Sequence, residues 1–257
     1  MKKILIALAA LGMMVSCADK GPKVLVLYYS QTGTTQAVAE EFCRQLGADI
    51  EKFDVTEPYD GSYQETIMRG QQEMSSGILP EIVPIKADLK KYDTIFLGFP
   101  IWYGQPCLPL QSLIKSVDLS GKEIVPFCTF GSGGLVEATN ALTEALPESY
   151  IMNGYGVRSA RVSAAPEEIN RFLISNQYKE GEVTPYDFFP EQHECSEEEA
   201  EIFRQATSDY MMPLGTAAYV SSRAIDGGTE YQFTTLENTT IYINLIGGKA
   251  EFTRVDR

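Results

Sequence analysis

Three short apolar runs recur along the first half of the chain. Residues 24–29 read Val-Leu-Val-Leu-Tyr-Tyr, residues 94–100 read Thr-Ile-Phe-Leu-Gly-Phe-Pro, and residues 122–130 read Lys-Glu-Ile-Val-Pro-Phe-Cys-Thr-Phe. Continuous runs of this length predict strands buried on both faces of a parallel sheet. Between them the apolar positions take a helical spacing, which predicts helices over 35–46, 63–75, 108–117 and 136–146. Gly47 is placed to cap the first of these, and Gly77 and Pro80 end the second. Shorter strands are expected at 48–55 and 150–157, and a last helix over 166–175 with Pro166 in its first turn. Strands alternating with helices imply parallel βαβ units, right-handed crossovers and a doubly wound sheet.

Past residue 176 the pattern changes. Residues 177–195 carry Gly181, Pro185, Pro190 and several acidic residues, and read as a linker. Ser196 followed by Glu199 is a capping box, which starts a helix expected to run to 210 and to be closed by Pro213. Strand-like runs follow at 217–225, 230–235, 239–246 and 250–255. Gly227-Gly228, Glu237-Asn238 and Gly247-Gly248 separate them, the last pair being a strong hairpin signal. Residues 196–257 are therefore expected to form a small α+β domain, one helix followed by an antiparallel meander.

The first 16 residues do not read as part of either unit. Lys2-Lys3 is a basic start, residues 4–15 are apolar, and Ser16-Cys17 closes the run. Met14-Val15-Ser16-Cys17 resembles the lipobox of bacterial lipoprotein signals, which implies cleavage before Cys17 and lipidation of that cysteine. An ordinary secretory signal or an N-terminal membrane helix are the other readings, but the run falls short of the ~20 apolar residues a span needs. Residues 17–22 would then be a tether, the membrane a partner through the lipid anchor, and the location the cell envelope, on its periplasmic or outer-membrane face.

Composition narrows the classes of partner. The chain has 257 residues, 44% apolar and 22% charged, in the ordinary globular range. Its formal net charge of −14 argues against nucleic acid. Cys43, Cys107, Cys128 and Cys195 match no metal-ligand spacing, and Cys128 falls in an apolar strand pattern as a small buried hydrophobe. The single histidine, His193, lies in an acidic stretch and is expected in solvent. No metal site is expected. Neither a Ser-His-Asp set nor paired carboxylates can be assembled, so no catalytic side chain is assigned.

The candidate chemistry lies in the turns after the three buried strands. Ligands in doubly wound sheets sit at the carboxyl ends of the strands. The first turn is Ser30-Gln31-Thr32-Gly33-Thr34-Thr35, rich in hydroxyls and followed by a helix whose N-terminus carries unpaired N–H groups and partial positive charge. It reads either as helix capping or as a phosphate cradle without a lysine. The second, Pro100-Ile101-Trp102-Tyr103-Gly104, carries the one tryptophan of the chain. Trp102 is a core residue or an aromatic platform, and the end of the strand just before it favours the platform. The third is Thr129-Phe130-Gly131-Ser132-Gly133-Gly134, whose glycines permit close backbone approach; Phe130 faces either ligand or core. A phosphate cradle, an aromatic platform and a glycine loop on one edge fit a ligand with a phosphate at one end and a flat ring at the other.

On these three motifs, in this order and spacing, residues 23–176 resemble a flavodoxin, and in particular a bacterial flavodoxin-like branch. The resemblance implies a five-stranded parallel sheet in the order 2-1-3-4-5 and non-covalent FMN as cofactor. Ser30, Gln31, Thr32, Gly33, Thr34 and Thr35 would hold the FMN phosphate. Pro100, Ile101, Trp102, Tyr103 and Gly104 would lie against the isoalloxazine, with Gly104 allowing a peptide rearrangement on reduction. Thr129, Phe130, Gly131, Ser132, Gly133 and Gly134 would cover the pyrimidine edge or the other face. A pocket without Lys, Arg or His would resist added negative charge and give a low reduction potential, unless Arg69 or Arg158 folds back onto it. The C-terminal unit resembles the cystatin-like fold on the stretch 221–233, with Arg223 where that family has glutamine, which speaks against protease inhibition. The leading reading is an envelope electron carrier serving a redox partner protein or a small electron acceptor. The alternatives are an FMN-dependent reductase of quinones or other small acceptors, and an FMN-free scaffold that binds a partner through its C-terminal domain.

Overall fold

The structure, a computed structural model, describes residues 23–210 and 212–256. The signal, Cys17 and the tether expected at 1–22 lie outside the described residues. No helix among the described residues is long and apolar enough to cross a membrane.

The chain first alternates strand and helix. β1 (Val24–Tyr28), α1 (Thr34–Leu46), β2 (Asp49–Lys52), α2 (Tyr63–Ser76), β3 (Thr94–Trp102), β4 (Gln105–Pro106), α3 (Leu108–Ser116), β5 (Glu123–Phe130), α4 (Leu135–Ala145), β6 (Tyr150–Ile151), β7 (Tyr155–Arg158) and α5 (Ala165–Ser175) follow one another. The sheet runs β2-β1-β3-β5, with β6 and β7 both parallel to β5. Taking β6 and β7 as two pieces of one strand gives the expected order 2-1-3-4-5.

Alternation along the strands splits the core between the two sheet faces. Leu25, Leu27, Ile95, Leu97, Phe99, Ile124 and Cys128 meet Leu110 and Leu113 of α3 and Ala138 and Leu142 of α4. Val26, Phe96, Val125 and Phe127 meet Val38 and Phe42 of α1 and Ile169 and Leu173 of α5. Covering on both faces is why these strands read as unbroken apolar runs. Gly98 makes room on the second face: a Cβ there would lie 2.1 Å from the Phe127 ring.

Two elements differ from expectation. β3 continues through Ile101 and Trp102 and folds back on β4, with Ile101 opposite Pro106 and Trp102 opposite Gln105. Tyr103 (φ 54°) and Gly104 (φ 75°) form the two-residue turn; paired positive φ values match the twist of a tight hairpin. The strand expected over 150–157 is split. Pro126 of β5 has no N–H to donate, and the last strand carries one extra residue beside it: Ile124 pairs with Ile151, but Phe127 pairs with Tyr155.

The second unit is β8 (His193–Glu194), α6 (Glu197–Thr207), β9 (Ala217–Ile225), β10 (Gly228–Thr235), β11 (Thr240–Ile246) and β12 (Lys249–Asp256). Its antiparallel sheet runs β12-β11-β10-β9-β8. The capping box at Ser196 is formed, and Phe203 and Ala206 of α6 pack on Val220, Phe233, Ile241 and Phe252. β8 falls inside the stretch read as linker and adds an edge strand, pairing His193 with Val220. Upstream of it the same stretch straps the sheet: Tyr186 lies under Arg171 at 3.9 Å and Phe189 under Arg223 at 4.3 Å. His193 is solvent-exposed and bonds Glu199. The units meet along β12, where Arg161, itself buried, pairs with Glu168 at 2.9 Å and Glu251 at 3.5 Å.

Candidate functional site

The turn after β1 is built by its own polar groups. Ser30 is buried, and its Oγ accepts from the Gly33 N–H at 3.1 Å. Gly33 takes φ 90° as N-cap of α1, with nothing within 4 Å of where a Cβ would stand. That leaves a backbone concavity at a helix N-terminus, where N–H groups face outward. Thr32 and Thr34 are on its open side. Thr35 turns inward and shares a 2.8 Å hydrogen bond with Thr129, so the first and third turns are joined by two buried hydroxyls. Gln31 donates to the Tyr59 carbonyl at 3.1 Å and to Thr66 Oγ1 at 2.9 Å, tying the turn to α2.

The second turn is the β3–β4 hairpin. Trp102 meets Tyr29 edge-on at 6.1 Å and Tyr59 edge-on at 4.9 Å. It packs against the core and also lines the cavity. The premise that the strand ends before Trp102 is corrected, since Trp102 is its last residue. Tyr103 reaches across to α2: its hydroxyl donates to the Ile67 carbonyl at 2.8 Å, and a Cβ at Gly70 would come within 3.0 Å of it.

The third turn shows a division of labour among its glycines. Gly131 has open space around it. Gly134 is the N-cap of α4 at φ 119°. Gly133 faces the C-terminal unit, for a Cβ there would lie 2.1 Å from the Val255 carbonyl oxygen. Arg158 donates its Nε to the Gly131 carbonyl at 2.9 Å.

Two adjoining cavities run along the carboxyl edge of the sheet. The first, about 430 Å³, is lined by Gln31, Thr32, Thr34 and Thr35, by Pro100 to Tyr103, and by Thr129, Phe130 and Gly131. Gly61, Thr66, Ile67 and Ser159 complete it, and none of the four stood out in the sequence: the first three lie in or beside α2, away from the strand ends, and Ser159 directly follows β7 but carries no turn motif of its own. The second, about 610 Å³, shares Ile101, Tyr103, Phe130 and Gly131 and continues past Gly104 and residues 132–134 to Glu137, Met212 and Val255. Of the predicted site residues, only Ser30 and Gly33 line neither cavity; both are used in shaping the turn.

No charged side chain lines the first cavity among the described residues. Arg69 pairs with Glu73 at 2.8 Å and lies over the Tyr59 ring at 3.9 Å, and it does not line the cavity. Burial, with the Glu73 carboxylate beside it, raises the Tyr59 pKa, so its hydroxyl stays neutral and donates to Glu73. Arg158 is half-buried, and that burial pulls its pKa below the usual guanidinium value. It stands behind the third turn, against a carbonyl rather than in the cavity. Burial pushes the Cys107 thiol up to about 12 and Cys128 higher still, so both are neutral packing groups at physiological pH.

Fold and site together define a doubly wound α/β protein with a hydroxyl-rich turn and a tryptophan-bearing hairpin lining cavities on one sheet edge. The chain belongs to the flavodoxin family, whose model, described as flavodoxin, matches residues 23–165. Among solved structures it is similar to a proposed flavoprotein of Bacteroides uniformis ATCC 8492, 29% identical with a TM-score of 0.52, over 59% of this chain and 99% of that one. A proposed flavoprotein of Bacteroides eggerthii DSM 20697 is 27% identical with a TM-score of 0.49, over 58% and 98%. A flavoprotein of Lactobacillus acidophilus NCFM, solved in complex with FMN, is 23% identical with a TM-score of 0.49, over 58% and 97%. No curated protein matches this chain.

Proposed function

We propose that the chain binds FMN without a covalent link and transfers electrons in the cell envelope, anchored there through lipidated Cys17. The observation that carries this reading is the convergence of all three strand-end turns on two joined cavities, one end hydroxyl-lined and the other aromatic and glycine-lined. The donor set fits the cofactor. A helix N-terminus, two open threonine hydroxyls and no carboxylate suit a phosphate dianion, and a partly exposed tryptophan beside a glycine turn suits a flat ring. FMN supplies the one- and two-electron chemistry. The chain's own residues bind and orient it: Thr32 and Thr34 at the phosphate end, Trp102 and Tyr103 along one side of the ring, Phe130 and residues 131–134 along the other. Among the described residues the lining offers no Lys, Arg or His to offset extra negative charge, which lowers the potential at which the cofactor is reduced.

A redox partner protein is the first expected acceptor. A second reading, FMN-dependent reduction of a quinone or similar small molecule, is favoured by one observation: Met212 and Val255 add apolar side chains to the lining of the second cavity. Turnover of a quinone with a nicotinamide donor separates the two.

The cofactor claim is tested by titrating the protein with FMN and with riboflavin while following Trp102, the sole tryptophan. FMN is expected to quench it strongly, and Thr32→Ala with Thr34→Ala to weaken FMN about tenfold while leaving riboflavin nearly unaffected, since only FMN carries the phosphate. Unchanged fluorescence, with no yellow protein after refolding with FMN, would sink the reading.

A further inference from the structure

The third turn is held from outside the flavodoxin unit. The Val255 N–H of β12 donates to the Ser132 carbonyl at 3.0 Å. Arg158 bridges the units: Nε to the Gly131 carbonyl and Nη1 to the Phe252 carbonyl, both at 2.9 Å, with its guanidinium 4.3 Å from the Phe252 ring centre. Gly133 supplies the space through which the Val255 carbonyl approaches. Three successive turn residues are thus tied to, or shaped by, one strand. β12 is an edge strand, whose outward N–H groups have no ladder partner; here one of them is spent on the turn.

In a trans peptide the N–H points opposite to the C=O. Fixing the Gly131 and Ser132 carbonyls therefore fixes the direction of the Ser132 and Gly133 N–H groups. A glycine turn left alone would sample many directions for these donors. We infer that the C-terminal unit is a clamp on the ring-binding turn, with Val255 and Arg158 as positioning residues that set its backbone donors. The similar flavoprotein chain of Bacteroides uniformis is matched over 99% of its length by 59% of this one, so the match leaves the rest of this longer chain without a counterpart there. The inference rests on the FMN reading above.

The test uses the full chain and three substitutions. Val255→Pro removes the donated N–H at an edge position that tolerates proline. Arg158→Lys keeps the charge but loses the fork that spans two carbonyls. Gly133→Ala attacks the same contact from the turn side. Amide exchange at residues 131–134, measured without FMN, reads the clamp directly; FMN and riboflavin affinities read its effect. The expected result is faster exchange in the turn and a loss of about tenfold for both ligands alike, because the ring hold and not the phosphate hold is weakened. Folded variants with released turns but parental affinities, within about twofold, overturn the clamp alone. Unchanged exchange in all three variants overturns it as well. A parent chain that binds neither ligand overturns the FMN reading and the clamp together.

Discussion

At the scale of single residues, the glycines show how one residue type serves different ends. Gly98 lies in a strand at the face where Phe127 needs its space, so its role is packing. Gly98→Ala is expected to cost about 1–3 kcal/mol through overpacking, or more if Phe127 has no alternative rotamer. Thermal unfolding checks it; an unchanged melting temperature would mean that the ring moves freely. Gly33 instead serves a positive φ, and Gly133 a neighbour's carbonyl. The sequence presents Gly98 within a buried run and Gly33 and Gly133 within ligand-like turns, and it does not separate the roles of the latter two. Which atom a Cα hydrogen faces depends on strand register and on residues more than a hundred positions away. Trp102 carries the same lesson: its identity and place flagged the site, while its two tyrosine neighbours come from distant segments.

At the scale of elements, the strongly periodic segments were legible and the boundaries set by pairing were not. The buried strands and the helices of the flavodoxin unit fall where apolar spacing puts them, because burial on two faces imposes an unmistakable pattern. The extension of β3 into a hairpin and the break at Pro126 follow from hydrogen-bond partners, which no local pattern reports. α2 stands apart. Gly70 is its one buried position among the described side chains, and it is held by polar ties from Gln31 and Tyr103 and by a capping box at Ser62 and Glu65. Few apolar contacts mean low local stability. Exchange of the α2 amides is therefore expected to be faster than in α1 or α5. Ser62→Ala should raise it further by the loss of about 1 kcal/mol of capping. FMN should slow it, because Thr66 and Ile67 line the cavity. Exchange in α2 as slow as in α1 would contradict the assignment.

At the scale of the whole molecule, the two units are joined mainly by polar contacts, and these carry a pH dependence of definite sign. Lys249, and beyond it Arg161, hold the Glu251 carboxyl below its usual value of 4.5. Arg171 first, and Tyr186 also, hold Asp226 below 3.8; the Arg171–Asp226 pair links α5 to the turn between β9 and β10. A carboxylate whose pKa is depressed by folding stabilises the folded form above its unfolded value and loses that contribution as pH falls through the folded one. Both carboxylates are partly or well exposed to solvent, so each contributes little alone. Their joint loss nonetheless acts on the seam that carries the Val255–Ser132 bond. Arg161 keeps Glu168 when Glu251 is protonated, so the flavodoxin unit itself is less affected than the docking. Amide exchange at Val255, corrected for its intrinsic pH dependence, is expected to stay flat from about pH 7 to about pH 5 and to quicken below about pH 4. Asp226→Asn, which mimics the protonated side chain at every pH, should quicken Val255 exchange already at about pH 7, shrink the acid step and leave exchange in β1 and β3 unchanged. Quickening that begins above pH 5 would assign the seam to other groups, and simultaneous quickening in β1 would mean that acid unfolds the molecule as one body.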